Sequence, residues 1–179
     1  MSDSIKHECG IALLRLLKPI EFYKKKYGTA LYGLNKMYLL MQKQVNRGQD
    51  GAGLVSIKLD TEAGAPYINR RRSIDANPIQ DIFLKIGDNF KNAQGRYPKE
   101  FEKTGWLKEN CSFMGELFLG HLRYGTYGKN SIAQCHPFLR QNNWKSRNVV
   151  LAGNFNMTNV KELLNQLIEL GQHPKEKTD

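Results

Sequence analysis

The sequence predicts an α+β domain with mainly antiparallel strands, and three observations carry that prediction. Short apolar runs of strand length coexist with longer segments whose apolar residues recur every three or four positions. The elements run β-α-β-β, then helices, then β-β-α, so strands follow strands and do not alternate strictly with helices. The chain has 179 residues, 40% of them hydrophobic and 25% charged, which suffices for one domain with its own core.

Each element has its own signal. Residues 9–17, CGIALLRLL, form a nearly continuous apolar run ended by Lys18-Pro19 and read as a buried strand. Over residues 26–48, apolar positions 31, 34, 37, 38, 41 and 45 show helical spacing, and Gly48 stops the pattern. GAGLVSIKL (51–59) reads as a strand, EAGAPY as a turn and YINRRRS as the return strand of a hairpin. Residues 75–110 differ in kind. NPIQDIFLKIGDNF is a helical pattern with Pro near its start, and PKEFEKTGWLKEN reads as one shorter helix. Together they read as a polar, helical insertion. FMGELFLGHLRYGTYG opens as a strand and ends in a glycine-rich loop. NVVLAGNFNMTN (148–159) is expected to be a buried strand running into a loop. Thr158 or Asn159 then caps VKELLNQLIELG, which stops at Gly171. No repeat, low-complexity tract or domain linker is visible.

Composition bounds the partners. The formal net charge is +10, but the basic residues are scattered through YKKKY, NRRRS and HPKEK. No aromatic-and-basic stacking pattern accompanies them, so a solvated basic surface is expected and a nucleic-acid partner is not. No apolar run reaches membrane-spanning length, and MSDSIKHE lacks the apolar core of a secretory signal, so a cytoplasmic location without a membrane partner is expected. The three cysteines, Cys9, Cys111 and Cys135, are odd in number and lack paired metal-ligand spacing. Neither a disulfide framework nor a metal site is expected, which leaves each thiol free for packing or chemistry.

Four stretches place a strand end beside glycines and polar groups: CGIA (9–12), NRGQDGAG (46–53), GHLRYGTYG (120–128) and GNFNMTN (153–159). Glycines let backbone approach a ligand closely, and the polar groups orient it. Each stretch alone is a weak signal. In this order, the four resemble the glutaminase half of the class II glutamine amidotransferases, a family with an N-terminal nucleophile, and within it the amidophosphoribosyltransferase branch. The resemblance covers most of the chain outside roughly 75–110.

The resemblance implies an Ntn-hydrolase αββα sandwich with mainly antiparallel sheets, carrying the helical insertion around 75–110. It implies that residues 1–8 are a propeptide and 9–179 a glutaminase domain that is incomplete at its C-terminus. The phosphoribosyltransferase domain is then expected to lie outside these residues. By resemblance, Cys9 is the nucleophile, and its freed α-amino group takes the thiol proton. Asn154 and the backbone N–H of Phe155 stand where the family builds its oxyanion hole. Arg123 matches the arginine that grips the α-carboxylate of glutamine, with Thr126 and Tyr124 beside it. Arg47 and Gly48 match a loop near the nucleophile, which Asp50 holds by hydrogen bonding. Asp179 matches the aspartate that binds the glutamine α-amino group.

Two residues depart from the family pattern: Phe155 replaces a glycine, and Gly153 stands where histidine is common. Phe155 does not take positive φ cheaply, which puts an unusual backbone geometry there in question. His121 and His136 are assigned structural roles, since the amine already serves as base, and Cys111 is assigned to packing. The implied partners are glutamine, the phosphoribosyltransferase domain and further copies of the full-length chain. No cofactor is implied within these residues; Mg2+, and in some relatives an iron–sulfur cluster, belong to the remainder of the family architecture. Two other readings stay open: another class II amidotransferase, of glucosamine-phosphate or asparagine synthase type, or a non-catalytic basic module that keeps the fold.

Overall fold

The structure is a computed structural model that describes residues 8–125, 131–155 and 157–174. Its centre is a four-stranded antiparallel sheet in the order β1-β4-β2-β3, built from β1 (Gly10–Arg15), β2 (Gly51–Ile57), β3 (Ile68–Ser73) and β4 (Leu117–Arg123). Side chains alternate across a strand, so each strand presents two faces. On one face Ala12, Leu54, Ala52, Phe118 and Leu122 are buried beneath helices. On the other, Ile11 and Leu13 are exposed at 44% and 66%, so β1 is covered on one face only.

Helix α1 is Ile20–Tyr27 and α2 is Tyr32–Gln42. Met37 and Met41 of α2 are almost fully buried over β1 and β4. Next comes α3, Pro78–Arg96, which carries Pro at its first turn and buries Ile79, Ile82, Ile86 and Phe90 against β2 and β3. Each such burial stabilises by roughly 1.5–3 kcal/mol relative to exposure. Helices α4 (Pro98–Phe101) and α5 (Thr104–Asn110) close this layer. Lys24 ties α1 to the turn after α4 through Glu102 at 2.9 Å.

A second, two-stranded antiparallel sheet pairs β5 (Phe138–Arg140) with β6 (Val149–Leu151). The chain leading into it crosses the open face of the first sheet. A Cβ at Gly53 would lie 1.9 Å from the carbonyl oxygen of His136, so glycine is what allows the crossing strap to sit on β2. Helix α6, Val160–Glu169, follows Asn159. The arrangement is α+β with antiparallel sheets, and helices cover one face of the larger sheet, in keeping with the expected α+β class.

Several element boundaries are corrected. The helix read over 26–48 is interrupted: α1 ends at Gly28, whose φ of 75° is a left-handed C-cap, and α2 is followed by a separate turn of 3-10 helix at Val45–Arg47. The single helix read at PKEFEKTGWLKEN is two, α4 and α5. The 75–110 segment is helical as expected, but it is not polar throughout, because α3 and α5 supply part of the core. The buried strand expected over 148–159 shortens to β6, with Val149 and Leu151 about half exposed.

Candidate active site

Antiparallel pairing brings three strand ends to one edge. Gly10 pairs with Leu122, and Arg123 pairs with Gly51, so the starts of β1 and β2 meet the end of β4. Cys9 stands just before β1, Asp50 just before β2 and Tyr124 just after β4. The Tyr124 N–H points at the Cys9 Sγ at 3.5 Å, and the sulfur lies 3.9 Å from the Tyr124 carbonyl oxygen. Cys9 is half-buried, unlike Cys111 and Cys135. Burial pushes both of those thiols up, which keeps them protonated and suited to packing.

Arg123 belongs to the open face of the sheet, because Leu122 takes the helix face. The residue is 8% exposed. One Nη donates to Gln134 Oε1 at 3.0 Å, and Nε is buried without a hydrogen-bond partner among the described residues. A guanidinium with a donor left over is a group suited to an anionic oxygen. Asp50 locks the loop as expected: its Oδ2 accepts from the Gly125 N–H at 2.7 Å, and its own N–H donates to the Arg123 carbonyl at 3.1 Å. Gly48 packs on this same backbone, where a Cβ would lie 2.6 Å from the Arg123 carbonyl carbon. Arg47, at the end of the 3-10 turn, is exposed.

The segment 152–155 reaches the sheet through two histidines. His121 Nε2 donates to the Gly153 carbonyl at 3.2 Å, and the Gly153 N–H donates to His136 Nδ1 at 3.2 Å. His121 lies two residues before Arg123, so both side chains share the open face with Cys9. Burial, then the neighbouring His136, pulls the His121 imidazole down to about 4, with Arg123 adding to the effect and the Gly153 carbonyl opposing it. Asn154 and Phe155 are exposed at the end of this segment. Phe155 is not among the positive-φ residues, which for non-glycine are Asp60 and Phe113 among the described residues. Phenylalanine at 155 therefore sits outside the left-handed region.

The structure thus brings Cys9, Tyr124, Arg123 and Gly48 to one edge, with Asp50 binding two of the loops. Thr126 and Asp179 lie outside the described residues, as do residues 1–7 of the expected leader. Sequence reasoning missed Gln134, the Arg123 partner. The only signal for it is a polar residue 11 positions downstream, which no strand or helix period links to Arg123. The structural roles read for His121 and His136 fit their burial, and their common partner Gly153 emerges only from the fold. No group of three or more His, Cys, Asp or Glu suited to hold a metal occurs among the described residues. No helix among them is long and apolar enough to cross a membrane.

Fold and site geometry define an α+β domain with a cysteine just before its opening strand and a buried arginine at the end of the neighbouring one. The particular likeness is to a solved structure described as glutamine phosphoribosylpyrophosphate (PRPP) amidotransferase from B. subtilis, complexed with ADP and GMP. The match has a TM-score of 0.50 and 19% identity, and covers 96% of this chain and 27% of that one. A second structure, described as the allosteric regulatory enzyme of purine biosynthesis, matches with a TM-score of 0.48 and 18% identity over 93% of this chain and 26% of that one. This chain therefore spans about a quarter of the length of those proteins. No protein-family model matches the sequence, and no curated protein does. At this identity the likeness shows the fold.

Proposed function

We propose that this chain is a glutaminase module of amidophosphoribosyltransferase type, releasing ammonia from glutamine through a cysteine thioester. The observation that carries the reading is the placement of Cys9 Sγ against the Tyr124 N–H, one residue from the buried guanidinium of Arg123. In this reading the Cys9 thiolate attacks the side-chain amide carbon of glutamine. The carbonyl oxygen becomes an oxyanion, received by the Asn154 side-chain amide and the Phe155 N–H. Collapse of the intermediate breaks the C–N bond, the nitrogen takes a proton and leaves as ammonia, and a glutamyl thioester remains. Water then cleaves the C–S bond to give glutamate and the free thiol.

The α-amino group of Cys9 serves as base once the Glu8–Cys9 bond is cut, since an amide nitrogen has no basic lone pair. Arg123 and Thr126 hold the α-carboxylate, Asp179 pairs with the α-ammonium, Tyr124 lines the pocket, and Arg47 and Gly48 order the loop beside it. The ammonia acceptor, a phosphoribosyl diphosphate bound by a phosphoribosyltransferase domain of the longer protein, belongs to the same proposal.

Intact mass spectrometry with a glutamine-like diazoketone tests the reading. The expected result is loss of residues 1–8 and one adduct, mapped to Cys9. Cys9→Ala is expected to bring glutamine hydrolysis to the level of the blank. A chain that stays whole and never reacts, or a variant that still hydrolyses glutamine, overturns the assignment.

A further inference from the structure

We infer that His121 and His136 act as a two-sided clamp on Gly153 and thereby as positioning residues for Asn154. The inference rests on the glutaminase reading for its functional consequence and on geometry for the clamp itself. The Gly153 N–H and carbonyl belong to the two peptide units that flank its Cα. One donates to His136 Nδ1, the other accepts from His121 Nε2, each at 3.2 Å. The two imidazoles therefore fix both dihedrals of the residue with the widest conformational range, immediately before Asn154. The Gly153 carbonyl shares its peptide plane with the Asn154 nitrogen, so holding that oxygen holds the start of Asn154.

Neighbouring groups tighten the arrangement. The two rings lie 4.6 Å apart, and His136 also contacts Phe138 at 4.4 Å and Phe155 at 5.5 Å between centroids. The Phe155 ring fills the space of a side chain at 153: a Cβ there would lie 2.4 Å from it. Glycine at 153 and phenylalanine at 155 are thus one paired choice.

The hydrogen bonds dictate the proton positions. His136 Nδ1 accepts, so its proton is on Nε2. His121 Nε2 donates to a carbonyl, so a neutral ring leaves Nδ1 bare, and that atom is buried without a partner among the described residues. A proton added to His136 Nδ1 removes the acceptor. A proton added to His121 places a charge beside Arg123. Cations also bracket His136: Arg72 donates to the Cys135 carbonyl and Arg70 to the Pro137 carbonyl. The residues paired with His121 on β1 and β2, Ile11 and Gly53, carry no charge to compensate. Acidification is expected to open the clamp.

The test joins NMR with kinetics. Long-range 15N correlation at pH 7 is expected to show both rings neutral with the proton on Nε2; a charged ring, or a proton on Nδ1 of either, overturns the clamp. His136→Asn places an amide oxygen near the Nδ1 position, whereas His136→Phe keeps a ring and loses the acceptor. His136→Phe is expected to lower kcat for glutamine about 10–100-fold, a misplaced oxyanion donor costing at most what a removed one does. KM is expected to stay within about threefold, with His136→Asn near wild type. Equal impairment of both variants, or none in either, overturns the positioning role. If the wild type neither hydrolyses glutamine nor takes label at Cys9, the glutaminase reading falls. The clamp is then upheld or overturned by the tautomers, and by whether the Gly153 amide proton keeps its protection in His136→Asn and loses it in His136→Phe.

Discussion

Arg123 gives one Nη to Gln134 and keeps a buried Nε unpaired among the described residues, which is costly unless a ligand repays it. In the proposed glutaminase reading, Arg123→Lys keeps the charge and loses the planar fork, so KM for glutamine is expected to rise about 10–100-fold, as one to two charge-assisted hydrogen bonds require. Steady-state kinetics across a glutamine series checks this. His121 gives a second expectation at the same scale. Its pKa is about 4 when folded, against about 6.5 for an unperturbed histidine. Between those values the unfolded chain binds the extra proton. The stabilisation is therefore complete above pH 6.5 and is lost as pH falls toward 4. Linkage puts the loss between pH 7.5 and 4.5 at about 2–3 kcal/mol. His121→Gln, which keeps a donor near the Nε2 position and does not titrate, is expected to flatten this part of the urea-midpoint profile; an unchanged pH slope refutes the depressed value. The placement of Cys9 before β1 and of Arg123 at the end of β4 was legible in the sequence, because each bounds an apolar run beside a glycine. Gln134 and the His136–Gly153 bond were not, because they join segments that no local pattern relates.

Elements were legible where their periodicity was uninterrupted. Strands β1, β2 and β4 match their apolar runs closely, since a sheet needs a continuous extended segment and little else. The long helix read over 26–48 failed at Gly28, where positive φ outweighs a continuing apolar period. The strand read near 150 is present as β6 but shorter and less buried than expected, because aliphatic residues at a sheet margin remain half exposed, as Val149 and Leu151 are. Helix α3 looked polar because 19 residues carry only one buried stripe, with Ile82 and Ile86 both at 0% exposure. Ile86→Ala is expected to cost about 2–5 kcal/mol, since removing a core side chain loses both transfer energy and packing. Urea denaturation measures it. A loss below about 1 kcal/mol would return α3 to the rank of an appended insertion.

At the scale of the whole molecule the two faces of the central sheet are unequal. The helix face is sealed by α2 and α3, and its core includes Met37, Met41, Leu54, Ile82 and Phe118. The open face carries the site, with the strap at Cys135–Pro137 seated on β2 and the β5–β6 pair beyond it, while Ile11 and Leu13 stay exposed. The asymmetry continues into α6, which buries no residue and leaves Leu167 and Ile168, with Leu170 just after it, at 37%, 54% and 77% exposure. A ten-residue helix without a buried face is below the length at which isolated helices hold in water. Local stability is therefore expected to fall from one side of the molecule to the other. Native-state hydrogen exchange reads this directly: amides of β2 and β4 should open only at free energies near the global value, and those of α6 at about 0–2 kcal/mol, as for fraying segments. Segment 152–155 should fall between them, because His121 anchors it to β4 and His136 to the strap seated on β2. Protection in α6 equal to that in β2 would mean that the helix is held by contacts its exposure does not show, and the graded picture would then fail.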